Sequence, residues 1–169
     1  MDNIIEALRT LLQTAFGSSY TYMYGKVAVP GEQDLPMICI DPIYTVQQNE
    51  QSGGAFEYRF TIELTLFVSL RDYVDTTPDD GDVKQHKKDL VVKMEARNSV
   101  DRTLTASAIL GAINSDLQFG ATSQLKQWVD YMESAEISYN DGAQQSSGSW
   151  VVPAVLRMVF IQRTPGCPQ

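Results

Sequence analysis

Hydrophobic and polar residues alternate most regularly over residues 57–73, EYRFTIELTLFVSLRDY. Tyr58, Phe60, Ile62, Leu64, Leu66, Val68 and Leu70 fall on one side. Glu57, Arg59, Thr61, Glu63, Thr65 and Ser69 fall on the other, with Phe67 the exception. Period-two alternation on this scale predicts a long, half-buried strand. Its apolar side belongs to a core. Its polar side has two readings: a solvated sheet face, which is common in antiparallel sheets, or a surface that meets a neighbour or a wet channel.

The rest of the chain divides by the same test. In DNIIEALRTLLQTAF, residues 2–16, Ile4, Ile5, Leu8, Leu11, Leu12 and Ala15 form one helical face. Asp2 or Asn3 can cap this helix and Gly17 can end it. Residues 20–29 are tyrosine-rich and loosely extended, with a turn at Pro30 and Gly31. LPMICIDPIYTVQ, 35–47, is strand-like, and its two prolines, Pro36 and Pro42, favour a sheet edge or a bulge. The polar turn NEQSGGA then makes 35–47 and 56–71 a hairpin. RDYVDTTPDDGD, 71–82, reads as an acidic loop, and from Val83 the period becomes helical. A second helix is expected over 103–116, with Leu104, Ala108, Ile109, Ala112 and Ile113 as its stripe. A strand is expected from about Met132, a mobile loop at DGAQQSSGS, and a long β-rich run at 150–163 with a bulge at Pro153. The order predicts an α+β fold, a mostly antiparallel sheet with helices packed on one face and an amphipathic N-terminal helix. Residues 1–163 read as a single domain and 164–169 as a short C-terminal tail.

Composition adds boundaries. Thirteen basic residues against 21 acidic ones give a net charge of −8, so general binding to DNA phosphates is disfavoured. Such a protein can still surround DNA, because a wall that repels a polyanion does not grip it. Cys39 lies in a strand pattern and reads as a small buried hydrophobe; Cys167 lies in the tail, and a disulfide between them is not expected. The chain starts directly on a helix pattern, without a signal-peptide profile, and contains no apolar run long enough to span a bilayer. The expected setting is a reducing cytoplasm, or a particle assembled there.

Catalytic chemistry finds little support. The single histidine, His86, sits beside Lys87 and Lys88 and reads as a surface residue. There is no Gly-x-Ser-x-Gly elbow. Placing Gly81 at position 6 of a calcium loop puts Thr76, Pro78 and Lys87 at ligand positions, and they fail as ligands. Two cysteines and one histidine at these separations do not make a zinc site. No cofactor and no enzymatic activity are expected. The most distinctive charge pattern sets Asp72, Asp75, Asp79, Asp80 and Asp82 before Lys84, Lys87, Lys88, Lys93 and Arg97. It reads either as a solvated helix or as a contact between copies, with the acidic loop of one meeting the basic helix of the next. The candidate interface residues are Asp79, Asp80, Asp82, Lys84, Lys87, Lys88 and Arg97. Glu57, Arg59, Thr61 and Glu63 are the candidate channel- or neighbour-facing set.

An amphipathic helix, VAVP and LPMICIDP, a long alternating strand, a charged helix pair and a closing GSWVVPAVLRMVFIQR together give a layout that resembles the tail terminator (tail completion) proteins of long-tailed bacteriophages. The resemblance covers nearly the whole chain. It implies an α+β protomer of a hexameric ring that caps the head-proximal end of the tail tube, stops its growth and offers a docking surface to the head or neck. The implied partners are further copies of the chain, the tail tube protein, a neck or head-completion protein and, in contractile phages, the tail sheath. Genomic DNA would pass through without specific binding, and no membrane is involved. The implied location is the virion, after assembly in the host cytoplasm. A neck or head–tail connector protein is the alternative within the virion. A small regulatory or ligand-binding α+β domain is the alternative from another class.

Overall fold

The computed structural model describes residues 2–25, 30–31, 34–50, 56–69, 80–119, 123–139, 144–146 and 149–164, with the backbone alone at 44–50, 80–87, 119, 144–146 and 149–150. Helix α1, Asp2–Phe16, buries Ile4, Ile5, Ala7, Leu8 and Leu12, the face its spacing predicts. It stops at Gly17, whose φ of 60° is the left-handed conformation glycine adopts without strain. Tyr22 Oη donates 3.1 Å back to the Leu12 carbonyl and so ties the start of β1 to the end of the helix.

The strands are β1 (Thr21–Tyr24), β2 (Met37–Glu50), β3 (Phe56–Ser69), β4 (Tyr131–Tyr139), β5 (Gln144–Ser146) and β6 (Ser149–Thr164). They form one sheet in the order β1-β2-β3-β6-β4, with β5 also paired to β6. Every pairing is antiparallel except the short parallel match of β1 to β2. Helices α2 (Asp80–Glu95) and α3 (Ile109–Phe119) join α1 in a single core with the inward side of the sheet: Ile38 and Ile40, then Phe60 to Val68, then Val152 to Phe160 at alternate positions. The fold is therefore the expected α+β arrangement, with the helices on one side of the sheet. A small second cluster of Met37, Cys39 and Phe67, backed by Leu35, lies on the other side. Phe67, the exception to the alternation, thus has an apolar destination of its own, and Cys39 is buried as expected.

The prolines are explained by register. Gly25 N donates 2.9 Å to the Ile40 carbonyl, the last contact between β1 and β2. Residues two apart in a strand point their backbone groups the same way, so the missing N–H of Pro42 falls on the outer side, where β1 has ended. The expected irregularity follows immediately, between Ile43 and Val46. Pro153 corrects the expectation of a bulge. Its register with Phe67 is unbroken, and it sits in the gap along β6 between the end of β4 at Ala154 and the start of β5 at Val151.

Three further boundaries differ. Helix α2 starts at Asp80, so Asp80 and Asp82 belong to the helix that carries Lys84 and not to a preceding loop. Aspartate is favoured at the positive end of a helix dipole, and that preference outweighs the loop-like composition. The second helix starts at Ile109, not Thr103. Residues 97–104 form a tight hairpin with an Arg97–Leu104 bridge, and its strands converge on Thr105, whose carbonyl accepts from Ala108 N at 3.1 Å. Within 141–149, residues 144–146 are strand β5, because the start of β6 offers them a partner that their polar composition does not announce.

Candidate functional site

Residues paired across neighbouring strands share a face, so the registers define the side of the sheet opposite the helices. One row across it reads Asp41, Glu63, Arg157, Glu136. The next reads Ile43, Thr61, Val159, Ser134. Beyond them Arg59 pairs with Ile161 and Glu57 with Arg163. All four predicted residues, Glu57, Arg59, Thr61 and Glu63, therefore lie together on the face without helices, at alternate positions of β3.

This face is a lattice of ion pairs. Arg157 Nη2 lies 3.2 Å from Glu63 Oε2. Arg163 Nε lies 3.3 Å from Glu57 Oε2, and Arg59 Nε lies 3.6 Å from Glu57 Oε1. Arg59 Nη2 reaches Glu133 at 2.9 Å, made possible by a register shift in β4 between Met132 and Ser134. Arg163 also donates to Tyr131 Oη at 3.2 Å and lies over that ring at 5.2 Å from its centroid. Its backbone N–H donates to Asp130 Oδ2 at 2.5 Å. The hydrogen bond that Arg163 donates to Glu57, with Tyr131 adding to it, raises the pKa of the Arg163 guanidinium above its ordinary value. Glu57 corrects the picture of a uniformly wet polar side: it is only 6% exposed, enclosed by the two arginines. The hydrophobic Ile161, fully buried in the middle of this group, has Arg59 and Tyr131 as its register partners on either side.

Here the carboxylates of Asp41, Glu57, Glu63, Glu133 and Glu136 outnumber the guanidiniums of Arg59, Arg157 and Arg163, and each of the three arginines has an acidic partner. Such a surface offers no net attraction to a polyanion. Among the described residues, no group of three or more His, Cys, Asp or Glu side chains could hold a metal ion, and no helix is long and apolar enough to cross a membrane. Arg157 and Arg163 were not among the expected site residues. Their six-residue separation is even and puts both on one face of a strand, a signal hidden by the valines and isoleucine around them.

The ion pairs should differ in their contribution. Removing Arg163 strips the enclosed Glu57 of a hydrogen bond and opens the stacked Tyr131; removing Arg157 leaves Glu63, which has more access to water. Leaving a buried charge without its partner is the costlier change. Urea titration is expected to show a lower midpoint for Arg163→Met than for Arg157→Met, and equal midpoints would contradict this ranking.

The second predicted group is only partly within the described residues. Asp79 lies outside the described residues. Asp80, Asp82, Lys84 and Lys87 lie on α2, where the backbone alone is described, and Lys88 is exposed further along it. Arg97 lies beyond the end of α2, 3.6 Å from Glu95. Asp80 and Asp82 therefore belong to the helix itself and not to a loop before it. The last turn of α2 is tied to the sheet, where Tyr139 Oη donates to Glu95 Oε1 at 2.9 Å. Burial first, and then Glu95, push the Tyr139 phenol well above its usual pKa, so it stays a donor.

Fold and site together define an α+β protein whose sheet keeps one face for its helices and presents an ion-paired face on the other. No family model matches the chain, and no curated protein matches it in sequence.

Proposed function

We propose that this chain is a structural subunit of a virion: the protomer of a ring, expected to be hexameric, that caps the head-proximal end of a bacteriophage tail tube. The observation that carries the reading is the charged face of the sheet. Strands β3 and β6, of 14 and 16 residues, are each long enough to run about 45 Å or more. Along them the face without helices is ion-paired, and acidic groups are in excess. A ring of such sheets presents DNA with a wall that does not hold it, as a passage for a genome requires. The layout described from the sequence supports the same reading.

The role is architectural. An open tube end is a growing polymer, and a ring that binds it without offering a copy of the same surface stops elongation. The tail tube protein would be one partner and a neck or head-completion protein the other, with sheath contact in contractile phages. The ring would carry no cofactor and catalyse no reaction.

Electron microscopy of the purified protein mixed with purified tail tubes tests this. The expected result is a single ring at one end of each tube and no further addition of tube subunits there. Rings that ignore tube ends but bind the portal side of heads would favour a neck connector. A monomer that binds neither would point to a small ligand-binding domain.

A further inference from the structure

The hairpin between α2 and α3 is built as a rigid knob. Asn98 N donates to Thr103 O at 2.8 Å and Arg102 N donates to Asn98 O at 3.1 Å. Asn98 Oδ1 accepts from Val100 N at 2.8 Å. Asp101 Oδ1 accepts from Thr103 N at 3.0 Å and from Thr103 Oγ1 at 2.7 Å, and these bonds hold the Asp101 carboxyl below its ordinary pKa. At the apex Val100 is 89% exposed. An apolar β-branched side chain held in water by this many local bonds is unusual, because a solvated loop tip ordinarily carries a polar residue. Arg97 and Arg102 flank it; Arg97 Nη1 donates to the Arg102 carbonyl at 3.3 Å, and Arg102 holds a φ of 62°, in the left-handed region. The turns of α2 that lead into the knob also expose Val91 and Val92.

The other outer side of the sheet holds a groove. It lies at the N-terminal end of α1, beside the end of β1 and the neighbouring part of β2, and its volume is about 660 Å³. Ile5, Tyr24 and Pro42 give it apolar walls, Asp2 and Glu6 of α1 bring carboxylates to it, and Asp41, whose side chain belongs to the other face of the sheet, borders it. The Tyr24 wall is braced: its hydroxyl donates to Glu6 and accepts from Arg9 at 3.2 Å, and the Arg9 guanidinium lies 5.4 Å from the ring centroid.

Position decides what these two features can do. The knob follows the end of α2 that Glu95 ties to Tyr139 of β4, one outer strand of the sheet. The groove is lined by β1 and β2, at the other outer side. We infer that the Val100 knob of one copy inserts into the Ile5–Tyr24–Pro42 groove of the next, with Arg97 and Arg102 facing the carboxylate of Asp2 at the start of α1. Two different patches on opposite sides of a protomer make a head-to-tail contact, the kind that closes into a ring when the rotation permits. Apolar centre and charged surround divide the work: Val100 supplies burial, while the rim charges set register and partner choice. The rigidity of the knob lowers the ordering cost of docking.

The inference rests on the ring reading, and sedimentation of the full chain over a concentration series separates the two. Wild type is expected to form a discrete ring. Val100→Asp should raise the concentration needed for half-assembly by at least about tenfold, the equivalent of about 1.4 kcal/mol. Thermal unfolding of the monomer should hardly change, because Val100 touches solvent. Arg102→Glu should weaken assembly in the same way, and adding Asp2→Arg to it should restore assembly. A wild-type ring that Val100→Asp and Arg102→Glu both leave intact would overturn the knob contact and spare the ring. A wild type that remains monomeric throughout would overturn the ring and the contact with it.

Discussion

Gly111→Ala is expected to destabilise the protein by about 3 kcal/mol, a large share of the roughly 5–15 kcal/mol that holds a domain folded. The sign is opposite to the ordinary rule, since alanine improves a helix interior by about 1 kcal/mol over glycine. Here a Cβ on Gly111 would stand 1.9 Å from the Thr105 carbonyl oxygen and 2.5 Å from its carbon. Those are backbone atoms, and they are not free to retreat. Thr105 N donates to Ala96 O at 2.9 Å, its hydroxyl donates to the same carbonyl at 3.1 Å, and it meets Ser107 Oγ at 2.9 Å. The base of the Val100 hairpin would have to open. Gly17→Ala is the control: its φ is +60° but nothing lies within 4 Å, so only backbone strain of about 1–2 kcal/mol applies. Urea midpoints for the two variants check the ranking. A Gly111→Ala protein as stable as wild type would mean that α3 and the hairpin do not approach so closely.

The largest effect expected of the proposed function is on tail length. Cells infected by a phage lacking this protein should accumulate tails far longer than normal and unjoined to heads. Tube subunits add to an exposed end for as long as that end presents its own repeating surface. A cap of different structure removes that surface and supplies the one the head requires, so both failures should appear together. Electron microscopy of lysates reads both at once. Tails of normal length attached to heads would sink the terminator reading, whereas normal tails beside unattached heads would favour a neck protein. Supplying Val100→Asp in place of wild type should reproduce the overlong tails if ring closure depends on the knob.

The face of β3 could be read from sequence because its core side is apolar at every second residue and its other side is polar at nearly every one. Its cross-strand partners could not be read. Strand β6 buries Val151 to Ala154 without interruption and carries Val155, Val159 and Ile161 on the same face as Arg157 and Arg163, which blurs the alternation. The helix boundary near Thr103 was misplaced for a related reason. Leu104 packs against the same core as the α3 stripe, so its spacing imitates another helical turn, while the backbone runs through the Arg97–Leu104 bridge. Strand β5 has no apolar signature and exists through its pairing with β6. The groove at the start of α1 is legible only in three dimensions, because Glu6, Tyr24 and Pro42 meet only once β1 has aligned with β2.

The two outer strands of the sheet have a consequence beyond folding. A sheet edge is a row of vacant hydrogen-bond positions that another extended chain can fill, the usual start of fibre growth. On one side β1 has only four residues, and past it Pro42 offers no donor outward. On the other, β4 carries Glu133 and Glu136 and has no outer strand partner among the described residues. Laying the β4 edge of one copy along the part of the β2 edge past β1 in another would bring these glutamates toward Asp41, like charge against like. On the ring reading, this would discourage copies from zipping together through backbone hydrogen bonds and leave their association to side chains of the helical layer, where geometry can set a finite number of neighbours.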